Sequence, residues 1–224
     1  SDVTVDNFGL ISGGERAFAR DGGSGTLVFN NHFGASIEGL MQFRNISTGS
    51  TATLNNAGTI GSASSNALQL SESGGRVTIN NLRTGLITND YAGSDVIKDG
   101  RNVVINNRGD IRSAADQLTD DGNLTFGGDA IDIGSGRGST VNNFAGAVVE
   151  GSRHASTGKR DLTVFNGEDA VLLGRNGSGI NVDNNASPEQ MVKVINHGTI
   201  TGASMGYADS DGDAIDADGL LTLY

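Results

Sequence analysis

The sequence predicts an all-β chain wound as a right-handed parallel β-helix, a solenoid of about seven coils with a period of about 25 residues. Three observations predict it. An Asn-containing motif recurs along the whole chain, a second short apolar segment follows each copy, and Gly and Asp turn signals bound these segments. Composition agrees: 35 Gly, 22 Asn, one Pro and no Cys, with aromatic residues at 5%, make a chain that disfavours helices. Hydrophobic residues still reach 36%, and they are clustered rather than diluted, so a thin core can be buried.

The motif is two or three alternating apolar residues, one or two Asn, a Gly, then an apolar residue. Its copies are Val5-Asp6-Asn7-Phe8-Gly9-Leu10-Ile11, Phe29-Asn30-Asn31 to Gly34 and Ile37, and Leu54-Asn55-Asn56-Ala57-Gly58-Thr59-Ile60. Four more follow: Ile79-Asn80-Asn81 to Ile87, Ile105-Asn106-Asn107-Arg108-Gly109-Asp110-Ile111, Val141-Asn142-Asn143 to Val148, and Ile195-Asn196-His197-Gly198-Thr199-Ile200. The last Asn of each copy stands at 7, 31, 56, 81, 107, 143 and 196, so the spacings are 24, 25, 25, 26, 36 and 53. Such a period is that of a repeat unit that buries its apolar face only against its neighbours.

A second apolar segment is expected in each coil: Ala17-Phe18-Ala19, Leu40 to Phe43, Ala67 to Leu70, Val96-Ile97, Ala130 to Ile133, Ala170 to Leu173 and Ala214-Ile215. Equivalent strands then lie parallel at about 4.8 Å, giving a rod roughly 35 Å long. Aliphatic side chains stack inward, and an inward Asn at the corner can bond its own copies above and below. The Gly after the Asn is expected to supply positive φ. The crossover rule for parallel strands favours the right-handed coil.

The chain reads as a single domain over 1–224. The irregular spacings predict insertion loops at 114–127, 152–166 and 203–211, all between the Gly-x-Ile strand and the second strand and therefore on one edge of the rod. A fourth is expected at 176–191, around Pro188, or as a degenerate coil at Asp183-Asn184-Asn185.

The formal net charge of −11, with only 15 Lys plus Arg, argues against nucleic acid or an anionic membrane surface as partner. No stretch approaches the ~20 apolar residues of a membrane-spanning helix, and the start at Ser1-Asp2-Val3 is no signal peptide. Absence of Cys removes disulfide and thiol chemistry.

The motifs Asn56-Ala57-Gly58-Thr59-Ile60 and Asn196-His197-Gly198-Thr199-Ile200-Thr201-Gly202 resemble the passenger repeats of autotransporter proteins of Gram-negative bacteria. So does Gly212-Asp213-Ala214-Ile215-Asp216-Ala217-Asp218-Gly219-Leu220, echoed by Gly128-Asp129-Ala130-Ile131-Asp132-Ile133. The resemblance covers the chain as a repeat style. It implies secretion through an outer-membrane translocator barrel and display at the cell surface. It also implies a role in adhesion or self-association, with a host-surface or glycan ligand, in a non-catalytic passenger segment. The chain stops in mid-coil at Leu221-Thr222-Leu223-Tyr224, and an uncapped solenoid exposes strand edges, so a longer passenger is expected.

Candidate chemistry is sparse. Asp209, Asp211, Asp213, Asp216 and Asp218 are five carboxylates within Asp209 to Gly219, the alternation with which a Gly-containing loop cages Ca²⁺. An EF-hand-like loop would want Gly at Ala214 and a bidentate Glu further on, and both are missing, so ordinary turn and outward strand positions of the repeat are the plainer account of Asp213 and Asp216. Asp95, Asp129, Asp169 and Asp213 each precede a second apolar segment, which predicts an acidic column needing a cation, raised pKa values or outward splaying. Asp accepting hydrogen bonds from turn N–H groups is the plainer account.

Parallel β-helices also carry polysaccharide lyases and galacturonan hydrolases, and an acidic column at Asp129 and Asp169 would suit one. Against that reading stand no Trp, only Tyr91, Tyr207 and Tyr224, and three unclustered Lys: Lys98, Lys159 and Lys193. No serine-nucleophile, zinc-protease or phosphate-loop motif is present. His32 and His197 share a repeat position too many coils apart to share a metal, and His154 falls in an expected loop. Arg108, Gly109 and Asp110 spell the tripeptide that integrins recognise, although Gly109 is also the ordinary repeat glycine. A surface adhesin or structural segment is the leading expectation. A carbohydrate-active enzyme and a calcium-stabilised spacer are the alternatives.

Overall fold

The computed structural model describes residues 1–70, 74–113, 128–134, 138–159, 161–182, 191–204, 212–218 and 221–224, with the backbone of a short antiparallel hairpin pairing 117–118 with 124–125. None of these residues is helical. The chain winds as a parallel β-solenoid of about seven turns with a period near 25 residues, as the repeat predicts.

Each coil contributes to three faces. Face one holds nine strands stacked in sequence order: Val3–Asn7, Thr26–Asn31, Thr51–Asn56, Arg76–Asn81, Val103–Asn107, Ser139–Asn143, Leu162–Asn166, Val192–Asn196 and Leu221–Leu223. Face two carries the Gly-x-Ile strands, among them Thr59–Ser62, Leu86–Asn89, Asp110–Ser113, Val148–Gly151, Val171–Gly174 and Thr199–Gly202. Face three stacks Leu68–Leu70, Ile97–Lys98, Ile131–Asp132, Ser156–Gly158, Ile180–Val182 and Ile215–Ala217. In the first two coils the long strands Leu10–Asp21 and Ser36–Arg44 run across faces two and three together.

Alternation within each strand sorts side chains between core and solvent. Thr51–Asn56 buries Ala52, Leu54 and Asn56 while Thr53 and Asn55 face out, and Arg76–Asn81 repeats the pattern in register. Columns such as Phe29, Leu54, Ile79, Ile105, Val141 and Val164 fill the interior with no exposed surface. Among the described residues, the partly buried hydrophobics packed on the core lie in the terminal windings: Val5, Ile11, Ala17 and Phe18 at one end, Ile200, Ile215 and Leu221 at the other.

One winding escaped the motif. The spacing of 53 between Asn143 and Asn196 spans two coils, because Asn166 sits in the corner column between them, with Phe165 where the five coils from Asn31 to Asn143 carry a second Asn. The expected loop 152–166 is therefore regular structure: Ser156–Gly158 pairs on face three and Leu162–Asn166 on face one. Ala170 to Leu173, expected on face three, belongs instead to face two, where Val171–Gly174 lies between Val148–Gly151 and Thr199–Gly202. Range 176–191 likewise contains a regular strand, Ile180–Val182. Residues 183–190 of that range, 205–211 of the expected loop 203–211, and all of the expected loop 114–127 except the backbone of 117–118 and 124–125 lie outside the described residues.

The corner between faces one and two is an amide ladder. Asn7, Asn31, Asn56, Asn81, Asn107, Asn143, Asn166 and Asn196 are linked Nδ2 to Oδ1 at 2.8–3.0 Å, each amide donating to the next coil. The same Nδ2 also donates to a main-chain carbonyl of the next coil, Leu86 for Asn56 and Asp110 for Asn81. The corner glycines act through space rather than through φ. A Cβ on Gly109 would stand 2.2 Å from the Gly85 carbonyl oxygen, and one on Gly58 2.2 Å from that of Ala35, yet neither glycine has positive φ. The turns at Gly34 and Gly146 do use the left-handed region.

Replacing a ladder amide orphans two neighbours in a dry corner. Asn81→Ala is expected to lower stability by about 2–3 kcal/mol, while Asn80→Ala, on the outer face, costs under about 1 kcal/mol. Urea unfolding of both variants checks this, and equal losses would refute it.

Candidate functional site

Two places on the rod concentrate polar and aromatic groups. The first is the corner that opens face three. Backbone register aligns Asn66, Asp95, Asp129, His154, Ser178 and Asp213 in consecutive coils. The expected acidic column is thus only Asp95 and Asp129. His154 and Ser178 intervene before Asp213, and Asp169 is elsewhere, exposed on a turn of the Asn corner with φ 57°. The misplacement follows directly from the missed winding.

Side chains of this column accept main-chain donors from the next coil. Asp95 Oδ1 takes the N–H of Asp129 at 2.8 Å, Asp129 Oδ1 that of His154 at 3.1 Å, and His154 Nδ1 that of Ser178 at 2.7 Å. Accepting at Nδ1 fixes the neutral His154 tautomer with its proton on Nε2. The far oxygen of Asp129 takes the Thr157 hydroxyl at 2.7 Å. These bonds close the turn, which is the plain role expected for Asp beside Gly.

Electrostatics at this corner are uneven. Burial pushes the Asp129 carboxyl up to about 7, the Thr157 and His154 hydrogen bonds opposing and the Asp95 charge adding to the rise. Lys98 Nζ reaches Asp95 at 2.6 Å and Asp132 at 3.6 Å. Burial draws the Lys98 ammonium down, but the Asp95 hydrogen bond and the Asp95, Asp132 and Asp99 charges outweigh it and hold Lys98 above its ordinary value. Burial also raises Asp99. Asp129 is 6% exposed, so a macromolecular substrate does not reach its carboxyl in this arrangement.

The second place is the Asn corner itself, where the residue after each ladder Asn projects outward. Phe8 stacks on His32 with ring centroids 4.0 Å apart and planes 8° from parallel, and His32 Nε2 lies 2.9 Å from Asp6. Farther along, the Arg108 guanidinium lies 4.0 Å over Phe144, Phe144 is 6.2 Å from Phe165, and Phe165 is 5.8 Å from His197. Phe165, Glu168 and His197 line an open hollow of about 440 Å³. Sequence reasoning missed this ridge because it looked for Trp and Tyr. The signals available were the column of residues following each Asn and the replacement of the second Asn by Phe165.

On the outer side of face one a second amide ladder joins Asp6, Asn30, Asn55, Asn80, Asn106 and Asn142. Phe165 ends it, followed by Ile195 in the same column. Face two carries a charge network in which Arg112 pairs with Asp110 at 3.2 Å and with Glu150, and Arg175 also approaches Glu150.

The expected binding tripeptide straddles the Asn corner. Arg108 is on Phe144, Gly109 packs on the coil before it, and Asp110 opens a face-two strand with its carboxylate on Arg112. Of the expected calcium ligands, Asp209 and Asp211 lie outside the described residues. Asp213 and Asp218 are exposed, and Asp216 is on the outer side of the Ile215–Ala217 strand. Among the described residues no group of three or more His, Cys, Asp or Glu side chains is placed to hold a metal ion.

Asp129 gives a pH prediction. Its folded pKa is raised above 3.8, so the stability it contributes is present below about pH 4 and lost as pH rises through about 7, up to roughly 4 kcal/mol. Asp129→Asn, which repeats the Asn66 chemistry of the same column, is expected to unfold at a higher temperature than the parent at pH 8.5 and to lose that advantage by about pH 4. Parallel shifts at both pH values would contradict the assignment. Comparison of the chain with known protein families, with curated proteins and with solved structures finds no match.

Proposed function

We propose that the chain is a segment of a surface-displayed solenoid of the autotransporter-passenger type, carried outside the outer membrane of a Gram-negative bacterium and serving attachment or self-association without catalysis. The observation that supports this reading most is the unbroken eight-membered Asn ladder. It locks consecutive coils into a stiff rod whose sides are closed to strand addition, since side strands are paired on both edges. Such a rod provides reach, and the outward residue that follows each ladder Asn differs from coil to coil.

A second reading, a polysaccharide lyase or hydrolase, is favoured by one observation: Asp95 and Asp129 lie on adjacent coils, with Lys98 on Asp95 and Asp129 pushed up to about 7. Burial of Asp129 and its use in closing the turn weigh against it. The calcium-stabilised spacer rests on Asp213, Asp216 and Asp218 together with residues outside the described set.

Latex beads coated with the whole chain are expected to cluster or to attach to cultured cells, compared with albumin-coated beads, and removing 114–127 is expected to leave the thermal midpoint in place. Beads that neither cluster nor attach sink the attachment reading. Depolymerisation of polygalacturonate by the parent but not by Asp129→Asn would move the assignment to the enzyme. A midpoint raised by millimolar Ca²⁺ over EGTA, and not by Mg²⁺, would move it to the spacer.

A further inference from the structure

The outer columns at the C-terminal half of the Asn corner depart from the pattern of the rest of the rod. From Asp6 to Asn142 the outer column of face one is polar and saturates itself through its own amide ladder. At the next coil Phe165 replaces the amide, and the corner residue is Gly167, which brings no side chain to cover the ring. Phe165 is left half-buried, its ring flanked by Phe144 and His197, and Glu168 stands exposed on the turn that borders the same hollow.

Several occupants fit this place poorly. A peptide adding as a β-strand needs a free strand edge, and both edges of the Leu162–Asn166 strand are taken. A polyanion meets a chain of net charge −11 and a carboxylate at the rim of the hollow. An amphipathic helix needs a long apolar groove, whereas this hollow is short, open and rimmed by an acid and an imidazole. A neutral sugar needs what is present. The C–H face of a pyranose packs on an aromatic ring, and its hydroxyls bond acceptors and donors at the ring's edge. The hollow, at about 440 Å³, is the size of a small-ligand site.

We propose that Phe165, with Glu168 and His197, forms a subsite for one residue of a neutral oligosaccharide, the ring stacking on Phe165 and its hydroxyls bonding the Glu168 carboxylate and the His197 imidazole. The Arg108–Phe144 stack extends the platform along the rod toward the N-terminal coils, so an extended glycan lies parallel to the solenoid axis. This assignment rests on the attachment reading above and names its ligand class.

Phe165→Asn is the decisive variant, because Asn at 165 continues the Asn106–Asn142 ladder and preserves the fold. Isotope-labelled parent protein is titrated separately with cellohexaose, chitohexaose and mannohexaose to about 10 mM, with oligogalacturonate as the anionic control. Saturable shifts centred on residues 165, 168 and 197 are expected with at least one neutral hexamer, weakened about tenfold or more in Phe165→Asn. Glu168→Gln, on an exposed turn, is expected to bind less tightly with an unchanged midpoint and keeps the test decisive if Phe165→Asn proves unstable. The subsite is overturned if no neutral hexamer moves these resonances, if only oligogalacturonate does, or if the variants bind as the parent does. Parent beads that attach to cells while none of the hexamers binds would remove the sugar and leave attachment standing. Beads that fail to attach while a hexamer saturates would remove attachment and leave the subsite.

Discussion

Everything in this rod depends on one constraint: each coil must place a hydrogen-bonding amide at the same corner, in register with the coil before and after. Parallel stacking at about 4.8 Å brings equivalent side chains within contact distance. A column therefore reinforces itself when its members bond one another and is destabilised when they repel. Asn satisfies both halves, because Oδ1 accepts from one neighbour while Nδ2 donates to the other and to a main-chain carbonyl. The aliphatic columns supply burial, but they do not fix register along the axis as a directional amide bond does.

The same stacking logic explains the two unusual places on the surface. At the face-three corner the column changes from Asn66 to Asp95 and Asp129, and two carboxylates on adjacent coils cannot both ionise cheaply in a buried setting. Lys98 neutralises the Asp95 side, and Asp129 is left with a raised pKa. At the Asn corner the outer column changes from Asn142 to Phe165, and an aromatic platform replaces a saturated polar surface. A column that breaks its own pattern leaves behind either an unbalanced charge or an uncovered ring, and in a molecule of repeats these breaks distinguish one coil from another.

The legibility of the sequence followed the same columns. Inner positions were readable where one to three residues separate the last Asn from its Gly, because both the motif and the spacing repeat. The winding at Asn166 was not, since Gly167 follows Asn166 directly and Ala170-Val171 opens the next strand with no Gly before it. That single omission displaced Asp169 and His154 and turned the strands at 156–158 and 162–166 into an expected loop. The glycine rule was right in residue and wrong in cause: a close carbonyl from the previous coil excludes a Cβ at Gly58 and Gly109, an intercoil contact that no local turn preference encodes.

By itself, then, the sequence determined the all-β class, the period, the faces on which Ile, Val and Leu are buried and the corner where Asn stacks, because a repeat places identical side chains one coil apart whatever the details of the turns. Tertiary structure decided which residues from different coils meet. Phe165, Glu168 and His197 converge on one hollow with Phe144 beside Phe165, Asp129 sits against Asp95 and Thr157, and Asp213 stands apart from both. Those neighbours depend on the exact number of residues in every intervening coil. A miscount by one winding leaves the fold unchanged and reassigns each contact between columns.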